Sequence, residues 1–262
     1  MATRDIEGAR KAFEIGDVYL SLQAHEGFTS MNENTRMKAD IKKVTVVAGF
    51  QAITTTLCIV SAALGSGYSP TVTLMFGLAI VFGESIIMGI DRYLQTKSEL
   101  EYHLYERKRE EWEVDNNPEG EKKEMVEIYT NKGIPEEDAM QMTDILSRHK
   151  TAWIDIMMVE ELGIIENHLT SPLKSALASL ISFAAFAAVP LLPFIFGFVI
   201  KSEALLYIFS YLVSGVALYA MGNVKSQVNH QKAGQTAIEC IVLGAIACVV
   251  AFFVGLICKS HL

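Results

Sequence analysis

The chain has 262 residues, 51% of them hydrophobic and 20% charged, with a formal net charge of −8. The charge is unevenly placed: residues 97–170 hold 19 Asp or Glu against 9 Lys or Arg, a more negative balance than that of the whole chain. This excludes an ordinary water-soluble domain and points to a membrane protein with one acidic, water-facing insert and no nucleic-acid partner.

Residues 1–43 open with charges and hold no apolar run ahead of a small-residue cleavage site, so they read as a cytosolic N-terminal segment rather than a secretory signal. A spanning helix needs about 20 largely apolar residues. Five stretches qualify: 44–64, 70–92, 174–200, 204–222 and 233–258. The first two fall in a segment 44–96 and the last three in a segment 171–262, with the insert 97–170 between them. Arg36, Lys38, Lys42 and Lys43 precede the first span, and Lys225 and Lys232 lie between the fourth and fifth. The turn "SGYSP" has no basic residue and "IKSEA" has only Lys201, so the positive-inside rule places the N-terminus and the insert in the cytosol.

Between Gly89 and Pro118 there is no Gly or Pro, which predicts one helix from Pro70 to Asn116, roughly 70 Å long and so projecting well beyond a bilayer. Asn117-Pro118 reads as the cap and first position of a new helix that Gly133 stops; Pro135 opens another and Thr151 caps a third, "AWIDIMMVEELGI". The fold class is therefore an all-α membrane protein, five transmembrane helices with a helical cytosolic domain inserted between helices 2 and 3. Cys58, Cys240, Cys248 and Cys258 lie in apolar runs and read as small buried hydrophobes, without a disulfide or zinc pattern.

Two carboxylate pairs stand out. Glu110 with Glu113, and Glu121 with Glu124, are spaced i, i+3, which puts each pair on one helix face. Folding the helices together at Asn116–Pro118 brings four carboxylates into one place, an arrangement that needs cations to neutralise it. Met157 and Met158 stand one turn before Glu161, and a thioether beside carboxylates favours a first-row transition ion such as Fe²⁺ over Ca²⁺ or Mg²⁺. The competing reading is a solvated face interleaved with Lys122 and Lys123, with the methionines as core.

In order and spacing, "YLQTKSE", "KREEWEV", "PEGEKKEMVEIY", "KGIPEEDA" and "WIDIMMVEELGI" resemble the cytosolic domain of the vacuolar iron transporter family. "VPLLPF", with Pro190 and Pro193, is similar to that family's third membrane helix, and "IECIVLGAIA", with Glu239 and Gly244, to its fifth. The similarity covers roughly residues 42–258. It implies a dimeric five-helix membrane protein that exports Fe²⁺ from the cytosol into a vacuole-like compartment in exchange for protons, with Zn²⁺, Co²⁺ and Mn²⁺ as other possible cargo. It also implies a metal-binding set of Glu110, Glu113, Glu121, Glu124, Met157, Met158 and Glu161.

The membrane pathway matches less closely. Ala52 stands where the family has an aspartate in its first helix, and Ile80 where it has a glutamate in its second. Met88 matches the family's methionine. Glu84, one turn before it, is placed to replace the lost carboxylate, because an ionisable residue inside a bilayer is functional by default; the equal alternative is a Glu84 that pairs with a neighbouring Lys or hydroxyl and conducts nothing. Aspartate restored at Ala52 is expected to be tolerated. Glu239 is expected inside the bundle, and Ala62, Ala63, Gly65, Gly77 and Gly83 are expected to let the first two helices of two copies meet.

No Glu-x-x-His, Gly-rich phosphate loop or nucleophile elbow is present, so the sequence does not read as an enzyme or an ATP-driven pump. The alternative to a proton-coupled iron transporter is a transport-inactive family member that serves as a membrane-anchored metal-binding or structural subunit.

Overall fold

The structure, a computed structural model, describes residues 3–4, 6–26, 28–29, 33–164, 171–197, 200, 202–229 and 233–261. Lys201, Lys232 and residues 165–170 at the end of the insert lie outside these, as do the side chains of Arg36 and Lys38. A two-residue antiparallel pairing joins β1 (Thr3–Arg4) to β2 (Phe28–Thr29); the remaining described elements are helical. They run α1 (Ile6–Ile15), α2 (Val18–Glu26), α3 (Glu33–Ser66), α4 (Pro70–Asn116), α5 (Pro118–Asn131), α6 (Glu136–Ser147), α7 (Lys150–Glu160), α8 (Pro172–Ala187), α9 (Leu192–Ile195), α10 (Glu203–Asn229) and α11 (Ala233–His261). The chain divides into two compact units, residues 1–90 with 175–262, and residues 91–174.

In the first unit α1 and α2 form a hairpin that turns at Gly16, whose φ of +70° suits glycine. Asp17 caps α2: its Oδ1 accepts from the Tyr19 and Leu20 backbone N–H groups at 2.9 and 3.1 Å. Among the described residues five helices are long and apolar enough to cross a membrane, over 41–66, 70–116, 172–195, 203–228 and 234–260. The second of them is continuous from Pro70 to Asn116, as the absence of breakers predicts. The third is not the single helix expected over 174–200. It stops at Ala187, passes through a 3₁₀ turn at Val189–Leu191 and resumes as α9, because Pro190 and Pro193 remove two backbone donors.

α3 packs against α10 and α11. The approach to α11 is close enough that a Cβ on Gly65 would meet the Phe252 carbonyl at 2.2 Å, and one on Gly255 would meet the Ala62 carbonyl at 2.1 Å. Gly77 is covered by Leu191 in the same way, and Ala63 is buried. The small residues do let helices approach closely: Ala62, Ala63, Gly65 and Gly77 serve packing within the chain, and of that set only Gly83 faces open space. Apolar side chains on α4, among them Met75, Phe82, Ile86 and Ile90, are more than half exposed, as a lipid-facing or partner-facing surface would be. The cysteines are free, but Cys258 is exposed rather than buried.

The second unit contains the C-terminal part of α4 with α5, α6 and α7. Asn117 precedes α5 with Pro118 at its first position, and Gly133 ends it at φ +90°. α7 begins at Lys150 with His149 at the cap position, so Thr151 lies inside its first turn instead of capping it. Val114, Met125, Tyr129, Ala139, Trp153 and Ile154 form the core of this unit.

Candidate functional site

In the second unit three helices deliver carboxylates to one place. Glu110 and Glu113 come from α4, Glu121 and Glu124 from the first two turns of α5, and Glu161 from the end of α7. Oxygens of Glu110, Glu113 and Glu121 lie within 4.8 Å of one another, and so do those of Glu121, Glu124 and Glu161. Glu121 belongs to both groups. The two i, i+3 pairs fix the faces, the turn at Asn117 folds the faces together, and the end of α7 closes the set.

This is not a solvated face. Glu110 is fully buried and Glu121 is 5% exposed; Glu113 and Glu161 are half-buried and Glu124 is exposed. The Oε2 atoms of Glu110, Glu121 and Glu161 are buried without a hydrogen-bond partner among the described residues. Orphaned buried carboxylate oxygens are costly, and their remedy is a proton or a cation. Burial, then the neighbouring Glu161 carboxylate, pushes Glu110 up to about 7 despite the opposing pull of Arg109. Burial, then Glu113 and Glu124, pushes Glu121 up to about 7 as well. Glu161 is raised by burial first and Glu124 second. Carboxyls raised in this way are partly protonated near neutral pH, and a divalent cation placed among them would compete with those protons.

Arg109 sits among these groups, and sequence reasoning missed it. Its Nη2 donates to Glu110 Oε1 at 2.6 Å, its Nη1 to Glu113 Oε2 at 2.5 Å and its Nε to Glu106 Oε2 at 2.8 Å. Nη2 also lies 3.5 Å from Glu161 Oε1. The signal was present in the sequence, since Glu106 and Glu113 are i−3 and i+4 from Arg109 on an uninterrupted helix. Met157 and Met158 are buried with Trp153 and Ile154 in the apolar core, one turn before Glu161. Arg107 bonds Asp155 at 2.7 Å and Lys132 pairs with Glu160, which ties α7 to α4 and α5 around the carboxylates.

The membrane residues are arranged differently. Glu84 and Met88 lie one turn apart on α4, both half-buried, and Met88 packs against the cluster that contains Ala52, Val60, Val81 and Phe183. Ala52 is fully enclosed in that apolar cluster. Aspartate there would be desolvated, a cost that weighs against the expectation that it is tolerated. Ile80 is half-buried on the same helix. Glu239 is not in the bundle interior as expected: its side chain is 55% exposed on α11 and pairs with Lys225 at 3.4 Å. The reason is local, because Cys240 and Ala237 take the inward positions of that turn.

Comparison with known proteins extends this picture beyond the sites. A family model described as the VIT family matches residues 43–256. The chain is 32% identical over 273 residues to the vacuolar iron transporter of Plasmodium falciparum (isolate 3D7), covering 100% of this chain and 99% of that protein. It is 34% identical over 265 residues to the vacuolar iron transporter of Toxoplasma gondii, covering 96% and 88% of the two chains. With the vacuolar iron transporter of Centaurea cyanus it shares 31% identity over 216 residues, covering 82% and 87%.

Proposed function

The chain belongs to the VIT family, and from that premise we propose that it moves Fe²⁺ from the cytosol into a vacuole-like compartment in exchange for protons. The observation that carries the capture step is the convergence of Glu110, Glu113, Glu121, Glu124 and Glu161 with three orphaned buried oxygens. In this reading those carboxylates collect the cation on the cytosolic side, with Met157 or Met158 as the soft ligand that favours Fe²⁺. Zn²⁺, Co²⁺ and Mn²⁺ compete for the same oxygens. The N-terminus and the 91–174 unit face the cytosol of an endomembrane.

In the membrane, Glu84 and Met88 form the transfer pair, one turn apart on α4. Glu84 carries either a proton or a share of the metal charge, and that exclusivity couples the two fluxes. Two copies assemble through the exposed apolar face of α4 around Gly83, where a helix can approach closely. Glu239 contributes charge at the edge of the bundle through its pairing with Lys225 rather than as an enclosed ligand. The names of the relatives, all of them transporters, support transport over a purely structural role.

The test is Fe²⁺ entry into proteoliposomes under an imposed pH gradient. Entry that requires the gradient and disappears in Glu84→Gln is expected. A wild type that binds Fe²⁺ yet shows no flux under either polarity of gradient contradicts the transport reading and leaves a membrane-anchored metal-binding protein.

A further inference from the structure

We infer that Arg109 is the built-in counter-cation of the carboxylate site, and that an incoming metal ion must displace its guanidinium, which then retreats to Glu106. The inference rests on the proposal that these carboxylates capture metal, and it adds how their affinity is set.

Three observations support it. The guanidinium is not an ordinary surface partner: it reaches four carboxylates, Glu106, Glu110, Glu113 and Glu161, at 2.8, 2.6, 2.5 and 3.5 Å. Of these four, Glu110 and Glu113 belong to the first converging group and Glu161 to the second, while Glu106 belongs to neither. Finally, the contacts are made through one oxygen each. The Glu110 oxygen bonded to Arg109 is Oε1 and the Glu161 oxygen near Arg109 is also Oε1, while Oε2 of both residues is buried and unpartnered among the described residues. One set of oxygens is thus bonded to the protein's own cation, and another has no hydrogen-bond partner among the described residues.

A metal ion that takes both sets cannot coexist with the guanidinium in its present place, because two cations would share the same carboxylates. Arg109 keeps one partner outside the ligand set, Glu106, whose side chain is 13% exposed. Moving toward Glu106 gives the arginine a destination without leaving a charge unpaired. The functional consequence is a site held together when empty and moderated when full. A capture site that must hand its ion on gains from that, since unopposed carboxylates would retain it.

The test uses the full-length protein in detergent with Mn²⁺ as the probe, following free Mn²⁺ by electron paramagnetic resonance and the apo protein by thermal melting. Arg109→Gln should lower the apo melting temperature yet bind Mn²⁺ on the order of tenfold or more tightly than wild type. Arg109→Lys keeps the charge but cannot fork among several carboxylates, so it should fall between the two. Glu106→Gln removes the retreat and should weaken Mn²⁺ binding, the opposite sign to Arg109→Gln. A merely structural arginine predicts a different pattern, in which Arg109→Gln loses both stability and affinity.

Equal or weaker binding by a folded Arg109→Gln, with wild type binding normally, overturns the inference. So does an Arg109→Lys that binds Mn²⁺ as tightly as Arg109→Gln, since the positive charge would then play no part. If Arg109→Gln does not fold, the lysine variant and Glu106→Gln decide. If wild type and every variant leave Mn²⁺ free, the capture reading itself has failed, and this inference fails with it.

Discussion

The two units of this molecule treat buried polarity in opposite ways. Among the described residues of the unit formed by 1–90 and 175–262 the buried polar side chains are hydroxyls, and several of them find partners. Ser61 meets Tyr211 at 2.8 Å, Thr73 meets Tyr207 at 3.1 Å, and Ser210 donates to the Pro190 carbonyl at 2.7 Å. The exceptions, Thr54, Thr56 and Ser214, are neutral. In the 91–174 unit, beside the hydroxyls of Thr96 and Thr143, the buried polar groups include carboxylates placed against one another, and Glu110, Glu121 and Glu161 each keep an unpartnered buried oxygen. A neutral orphan hydroxyl is a modest penalty; an orphan carboxylate oxygen beside other carboxylates is a larger one. Hydroxyls of the first kind hold helices together where water is scarce. Carboxylates of the second kind oppose the fold to the extent that Arg109 leaves their charge unbalanced, which points to a role other than stability.

The comparison breaks most completely if the carboxylates are neutralised chemically. Glu110→Gln, Glu113→Gln, Glu121→Gln and Glu124→Gln together should abolish most divalent-metal binding by calorimetry. They should also raise the melting temperature of the apo protein at neutral pH, because the repulsion goes with the charge. Loss of binding accompanied by loss of stability would show that the carboxylates serve the fold instead.

A second change carries the penalty into the other unit. Ala52→Asp places a carboxylate in a fully enclosed apolar cluster. It should lower stability by about 2 kcal/mol or more, read as a fall in the melting temperature. A variant as stable as wild type would mean that Ala52 has access to a polar environment, and would return that position to the transport pathway.

Much of this was legible in the sequence. The spacing of Glu110 with Glu113 and of Glu121 with Glu124 gave the faces, the lack of Gly or Pro before Pro118 gave the length of α4, and Asn117-Pro118 gave the turn between the pairs. The break in the third membrane helix was visible too, in Pro190 and Pro193, although hydropathy alone reads straight through it. What escaped was set by tertiary contact. Whether Gly65 and Gly77 face a neighbouring copy or a neighbouring helix depends on where α11 and Leu191 fall. The inward or outward direction of Glu239 depends on its rotation about α11, which an all-apolar helix does not reveal. Arg109 was overlooked because a basic residue in a charge run looks solvated until its four partners are seen together.

The third prediction concerns pH. Glu110 and Glu121 hold their protons up to about 7 in the folded unit, against an ordinary value near 4.5. The folded state therefore binds more protons than the unfolded chain between pH 4.5 and 7, and its stability falls as pH rises through that window. The loss should be on the order of 3 kcal/mol for each of the two carboxyls, and saturating Mn²⁺ should remove it. Both tryptophans of the chain, Trp112 and Trp153, lie in the 91–174 unit, so unfolding followed by their fluorescence reports this unit alone. A flat profile without metal would argue that the carboxylates are already neutralised.

The smallest effect belongs to the exposed pair on the other unit. Glu239→Gln breaks a 3.4 Å contact with Lys225 in which both side chains are at least one-third exposed. It should change stability by less than about 1 kcal/mol. A loss several times larger would mean that Glu239 is covered in the assembled protein.

The central claim, that the converging carboxylates hold the metal, is tested most directly by anaerobic calorimetric titration of the full-length protein with Fe²⁺. The titration is run at pH 7 in two buffers of different ionisation enthalpy. With Glu110 and Glu121 each near half-protonated at that pH, binding must expel protons, and the heat per ion should differ between the buffers by an amount corresponding to about one proton. The same difference should vanish in the quadruple Gln variant along with the binding. Fe²⁺ binding whose heat is the same in both buffers, or binding that survives in the quadruple variant, would contradict the claim.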